Sequence, residues 1–461
     1  MVFCMRRFCL IVIAFICAAC SVSEQSFQSS PAIQTSSGWV DGKTGPEGSS
    51  VYRDIPFAKA PTGSLRWAPP EPIDAANRKI VTRSHQVMCP QPKGMVAGVA
   101  GEGYAGEEDC LFLDIYVPSR PSDMHKLPVM VWIHGGSNTS GHKGTYDYSR
   151  LAARQRVVVV VTNYRLGPLG WFTHPSLNGA GLNQPATANF GTLDIIEALR
   201  WTKENISAFG GDNSNVTLFG ESAGGRNVFS LLASPLANGL FQRAIAQSGH
   251  IRSVSREEAY NEQIKFSNID RGSWEVVKAL GVENNTVTAS ILRRIPVEAL
   301  LTAYYNLDHD HIQPQIINDG IVIPAEGLLA ALGNPAYAKH VPVMAGTTRD
   351  ELTLWLGLNR YYIDVSFPLT SLMPAKLRLR KPDQYQFWVD VRSRGWKLAG
   401  VEEPFAALQH AGYNNLYAYR FDWDEQPDNY FVPFSRILGA AHASEIAFLM
   451  GAPMYGAIGD F

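Results

Sequence analysis

The chain has 461 residues, is 46% hydrophobic and carries a formal net charge of −2. Such a chain can bury a large core, and its composition is that of an ordinary globular protein. It has no basic excess to suggest nucleic acid as a partner, and no fixed-period or heptad repeat, which excludes solenoids and coiled coils.

The N-terminus reads as a targeting segment. Arg6 and Arg7 precede an apolar run from Phe8 to Ala19. That run is too short to span a bilayer as a helix but suits a signal-peptide core. It ends in "ICAAC", similar to a bacterial lipobox, with Cys17 where leucine is usual. Two readings stand for residues 1–20: lipidation of Cys20, or a plain signal peptide cut near Ala19. Ser21 after Cys20 favours the outer membrane for a lipidated product. Residues 21–37, "SVSEQSFQSSPAIQTSS", are Ser/Gln-rich and are expected to form a flexible tether. Residues 38–461 are expected to form a single domain. Of six cysteines, Cys89 and Cys110 are the two that remain in that domain. In an oxidising compartment they read as one disulfide, contributing about 3 kcal/mol by chain entropy; the alternative is two unrelated buried thiols.

From here strand and helix signals alternate. "LPVMVWIHGG" is an apolar run ending in glycines, and "RVVVVVTNYR" has the β-branched content of a strand buried on both faces. "TLDIIEALRWTKENI" has helical apolar spacing. "NVTLFG" (strand), "SAGGRNVFSLLASP" (helix) and "RAIAQSG" (strand) follow, then strands at "VPVMAGT" and "NLYAYRFD". The order predicts an α/β fold, a mostly parallel sheet with helices on both faces. Sites in such sheets lie beyond the carboxyl ends of the strands. The segments 251–320 and 355–405 read as helical insertions that roof the site.

"GESAG", residues 220–224, follows a strand and opens a helix. Gly-x-Ser-x-Gly in that context is the pattern of a nucleophile elbow, which projects Ser222 at the positive end of a helix. The bland reading makes Ser222 a helix cap. A nucleophilic serine also needs an anion site. "VWIHGGSN" offers the amides of Gly136 and Ser137 at the same sheet edge, which with the amide of Ala223 could surround an oxyanion.

These segments resemble the type-B carboxylesterase family of α/β-hydrolases, which includes bacterial para-nitrobenzyl esterases and cholinesterases. The resemblance runs from about residue 38 to the end. "FGGDNSNVTLFGESAGG" matches the family's serine signature, and "EDCLFLDIYVP" its second signature, with Phe112 where Tyr or Thr is usual. "NYRLGPLGWF", "NFGTLDIIEALRW" and "GLFQRAIAQSG" are further matching blocks. The resemblance implies the Cys89–Cys110 bridge. It implies an acid at Glu351 in "AGTTRDELTLW", with Leu352 replacing the usual glycine and Asp350 as the bland rival. It implies the base at His442 in "LGAAHASEIAFLMG", with Ala441 and Ala443 replacing the flanking Pro and Gly, and Glu445 following. Ser248 matches a position that supports the acid, and could equally be a buried hydroxyl bonded to backbone.

The expected function is hydrolysis of a small-molecule carboxylic ester with water, by Ser222, His442 and Glu351, without metal or cofactor. The alternative is a non-catalytic adhesion or binding protein on the same fold. Four departures stand out. Ser137 replaces a glycine of the oxyanion turn, and Asp54 stands where glycine is common. The Cys89–Cys110 loop contains no tryptophan to bind a choline cation, so choline esters are not expected substrates. Phe461 follows soon after His442, so the domain is expected to be short at its C-terminus.

Overall fold

The computed structural model describes residues 29–73, 75–119, 126–177, 187–260, 272–283, 287–306, 314–366 and 375–452. Residues 1–28, which include the expected targeting segment and Cys20, lie outside the described residues. Ten strands form one sheet: β1 (Ser29–Thr35), β2 (Gly38–Thr44), β3 (Ser50–Pro56), β4 (Phe112–Val117), β5 (Leu127–Ile133), β6 (Val158–Thr162), β7 (Gly211–Glu221), β8 (Arg243–Gln247), β9 (Val343–Thr348) and β10 (Leu416–Phe421). Their spatial order is β1-β2-β3-β4-β6-β5-β7-β8-β9-β10. Pairings from β1 to β6 are antiparallel, and every pairing from β6 to β10 is parallel.

Period-two alternation assigns the two sheet faces. Val131, Ile133, Val160 and Leu218 join one core, with Ile196 and Phe229 from helices α1 (Phe190–Asn205) and α2 (Ala223–Ala233). Trp132, Val159, Val161 and Phe219 point the other way, into a second core with Tyr148 and Ile446. Every residue of β6 is buried, as its β-branched run predicts.

The tether expectation needs correction at its end. Residues 29–35 are not a tether but strand β1, paired antiparallel with β2. Ile33 and Thr35 alternate inward and are buried, which anchors the strand although Ser and Gln dominate the segment. The insertions are helical, with α3 (Val297–Asn306), α4 (Pro382–Lys397) and α5 (Glu403–His410) the longest helices. They also carry two short ribbons that the sequence pattern does not reveal, Ser253–Ser255 with Ile316–Asn318 and Ile363–Ser366 with Lys376–Leu379.

Candidate active site

Strand β7 ends at Glu221 and helix α2 begins at Ala223, so Ser222 alone makes the turn between them. Its backbone sits at φ 58° and ψ −119°, a strained conformation for a residue with a Cβ. Two glycines make the turn feasible. A Cβ on Gly220 would lie 2.8 Å from the carbonyl of Gly224, and one on Gly224 would lie 2.1 Å from the carbonyl oxygen of Ile133. The Ser222 amide donates to the Gln247 carbonyl on neighbouring β8 (2.8 Å), which pins the elbow to the sheet edge. Ser222 is part-exposed, whereas the residues on either side of it are buried.

Glu351 lies just beyond β9 and is fully buried. Its Oε1 accepts from Ser248 Oγ (2.7 Å) and from the Thr348 amide (2.9 Å). Its Oε2 meets His442 Nδ1 at 2.5 Å. The Ser248 hydroxyl thus bonds the Glu351 carboxylate. Asp350 points elsewhere: it pairs with Arg349 and accepts from the Ala440 amide (3.0 Å), tying down the loop that carries His442.

The other face of His442 carries a feature the sequence reading did not include. Nε2 lies 3.0 Å from Glu221 Oε1, without hydrogen-bond alignment. Burial alone would depress the imidazole, but the two carboxylates outweigh it and hold the pKa well above its ordinary value. A third carboxyl, Glu445, is pushed up to about 8 by burial and by Glu221 and Glu351. Gln247 Nε2 lies 3.3 Å from its Oε1. Two indoles enclose the imidazole: Trp355 and Trp396 stack on each other at 5.5 Å and lie 4.9 and 5.0 Å from the His442 ring. Trp396 Nε1 donates to the Ser248 carbonyl (2.8 Å), so the ring wall is fixed to the acid's own support. Glu221 was legible, inside the elbow motif; the indoles come from a segment without a motif.

The turn that carries Gly136 and Ser137 leaves β5 beside the elbow. A Cβ on Gly135 would lie 3.2 Å from Ser222 Cβ. Gly136, Ser137 and Asn138 all have positive φ, at 95°, 59° and 58°. A left-handed residue with a Cβ costs roughly 1–2 kcal/mol. Asn138 offsets part of this: it is buried, and its Oδ1 accepts from Asn227 Nδ2 (3.0 Å). Among the described residues, the amides of Gly136, Ser137 and Ala223 have no backbone acceptor outside regular helix and sheet bonding. Cys89 and Cys110 form the disulfide, which closes a loop with a short ribbon, Gln91–Gly94 with Val99–Ala105, and Val96 between its strands would lie 3.1 Å from a Cβ on Gly136. The departure at Asp54 has a partner too. Asp54 adopts φ 56° and shares the buried Lys143 ammonium with Asp114, at 2.6 and 2.7 Å.

A serine elbow at the end of a parallel strand, with a histidine–carboxylate pair and an amide-rich turn, defines the α/β-hydrolase class of carboxylic-ester hydrolases. The comparisons carry this to the family. The model of the carboxylesterase family matches residues 29–366, and the chain belongs to that family. It is 34% identical over 436 residues to the para-nitrobenzyl esterase of Bacillus subtilis (strain 168), covering 91% of this chain and 82% of that protein. It is 41% identical over 409 residues to the pyrethroid hydrolase Ces2e of Rattus norvegicus, covering 77% and 71%. A solved PNB esterase superposes with a TM-score of 0.72 at 32% identity, over 91% of this chain and 83% of that one.

Proposed function

We propose that the protein hydrolyses carboxylic esters through an acyl-enzyme formed on Ser222. His442 Nε2 removes the proton from Ser222 Oγ as the oxygen attacks the ester carbonyl. The developing oxyanion is received by the amides of Gly136, Ser137 and Ala223. Glu351 holds the proton on Nδ1 and stabilises the imidazolium. The imidazolium then protonates the departing alcohol. Water repeats the cycle and releases the acid.

The observation that carries the reading is the chain of contacts Ser248–Glu351–His442 ending beside an unbonded Nε2 at the elbow. The non-catalytic adhesion alternative is not supported, since relatives such as the para-nitrobenzyl esterase of Bacillus subtilis and the cocaine esterase of Homo sapiens are esterases. Hydrolysis of 4-nitrophenyl acetate and butyrate by wild type and Ser222→Ala tests the proposal. Equal rates for the two proteins would sink it.

The same reading includes export. Arg6, Arg7, the apolar run to Ala19 and Cys20 support a lipid anchor on Cys20 that holds the enzyme at a bacterial outer membrane. Cys20→Ala should move the protein from the membrane to the soluble fraction. An unchanged membrane fraction contradicts the anchor.

A further inference from the structure

Helix α2 is apolar along most of its length, yet carries Arg226 one turn after Ser222. The side chain is 1% exposed, among the largest fully buried side chains of the protein. Nη2 donates to the Pro314 carbonyl (3.1 Å), while among the described residues Nε and Nη1 have no hydrogen-bond partner. Among the described residues no carboxylate forms an ion pair with it. The groups that act on its charge are Tyr164, Tyr304 and Arg252, and burial lowers its pKa to about 10. A buried guanidinium with two unbonded nitrogens is costly, and such a group in a native fold calls for a partner.

Its position says where that partner would sit. Side chains on a helix lean toward its N-terminus, and residues four apart share a face, so Arg226 leans toward the serine end of α2. The Arg226 backbone packs against Gly249, where a Cβ would lie 3.0 Å from the Arg226 nitrogen, and the ring of the next residue, His250, lies 6.4 Å from Trp396, which in turn lies 5.0 Å from His442. Tyr104 stacks on Tyr305, next to Tyr304, joining the disulfide loop to the insertion above.

Resting on the esterase reading, we propose that Arg226 is a specificity residue for ester substrates bearing a carboxylate about one helical turn from the scissile carbonyl. The substrate anion supplies the charge that the protein withholds. Monoesters of short dicarboxylic acids fit on the acyl side, and acylated hydroxy acids on the alcohol side.

The test uses matched pairs on the full-length enzyme: monoethyl glutarate against ethyl valerate, and 4-acetoxybutyrate against butyl acetate. In wild type, one anionic ester should exceed its neutral isostere in kcat/KM. In Arg226→Met that ratio should fall by at least about tenfold, the lower range for losing a charged hydrogen bond. Parity of both pairs in wild type, or an unchanged ratio in the variant, overturns the proposal. Calorimetry of glutarate with Ser222→Ala reads the anion site without turnover and without relying on the esterase reading. Binding that disappears in the Ser222→Ala, Arg226→Met double variant supports the proposal, and absence of binding by Ser222→Ala overturns it. A wild type inactive on every ester, yet with glutarate bound, would fail the esterase reading while leaving the anion site standing.

Discussion

Replacing Glu351 by glutamine should nearly abolish turnover, although the shape hardly changes. Oε1 accepts from two donors, the Thr348 amide and Ser248 Oγ, and the Thr348 amide has no alternative role. The amide oxygen of a glutamine must therefore take the Oε1 position. Its NH2 group then faces His442 Nδ1, 2.5 Å away in the wild-type arrangement. Two donors cannot face each other, so Nδ1 must become the acceptor and the neutral ring must carry its proton on Nε2. That is the atom required to take the Ser222 proton. Enforcing the wrong tautomer in a serine triad costs about 10⁴ in kcat, or roughly 5.5 kcal/mol of barrier at 1.36 kcal/mol per decade. The assay is steady-state hydrolysis of 4-nitrophenyl butyrate by purified Glu351→Gln. Asp350→Asn is the control: Asp350 binds Arg349 and the Ala440 amide rather than the imidazole, so its loss should lower stability more than kcat. Retention of more than about a tenth of wild-type kcat by Glu351→Gln, against that expected loss, would refute the argument. So would an equal kcat loss in Asp350→Asn.

Two further predictions concern charge. Glu221 helps hold His442 above its ordinary pKa, and catalysis needs the neutral imidazole, so the acid limb of kcat/KM should lie on the alkaline side of an ordinary histidine. Glu221→Gln should move that limb to lower pH, and a limb that stays in place argues against the contact. The linkage has a definite sign: the raised imidazole contributes stability that is complete below the unfolded value, near 6.5, and is lost as pH rises through the folded value. Lys143→Met removes the ammonium shared by Asp54 and Asp114, leaving Asp114 its 3.5 Å pair with Arg53 and Asp54 without a cation, and should cost about 3–5 kcal/mol, read by denaturant unfolding. Adding Asp54→Gly should recover part of the loss, because glycine suits φ 56° and removes one stranded charge. A double variant no more stable than Lys143→Met alone contradicts this.

The strands that carry the site were legible because their signals are local. Val158–Thr162 is β-branched throughout and buried throughout, and the elbow announces itself by glycines that a Cβ would disrupt. The placement of Glu351, His442 and Ser248 came from matching separated blocks, and the structure brings all three together. What stayed illegible depends on contacts distant in sequence. The approach of Glu221 to His442 joins residues from opposite halves of the chain. Trp355 and Trp396 lie in segments where no period marks a ring as facing the site. Strand β1 was hidden because pairing with β2, rather than composition, orders it. The small ribbons have only three or four residues per strand, too few for an alternation to register.

The central claim is that Ser222 becomes acylated. Treatment with diisopropyl fluorophosphate, followed by peptide mass spectrometry, tests it most directly. The account predicts one label per chain, on the peptide containing Ser222, with activity falling in step with labelling and no label in Ser222→Ala. Inactivation without modification of Ser222, or full labelling of Ser222 with activity intact, would contradict it.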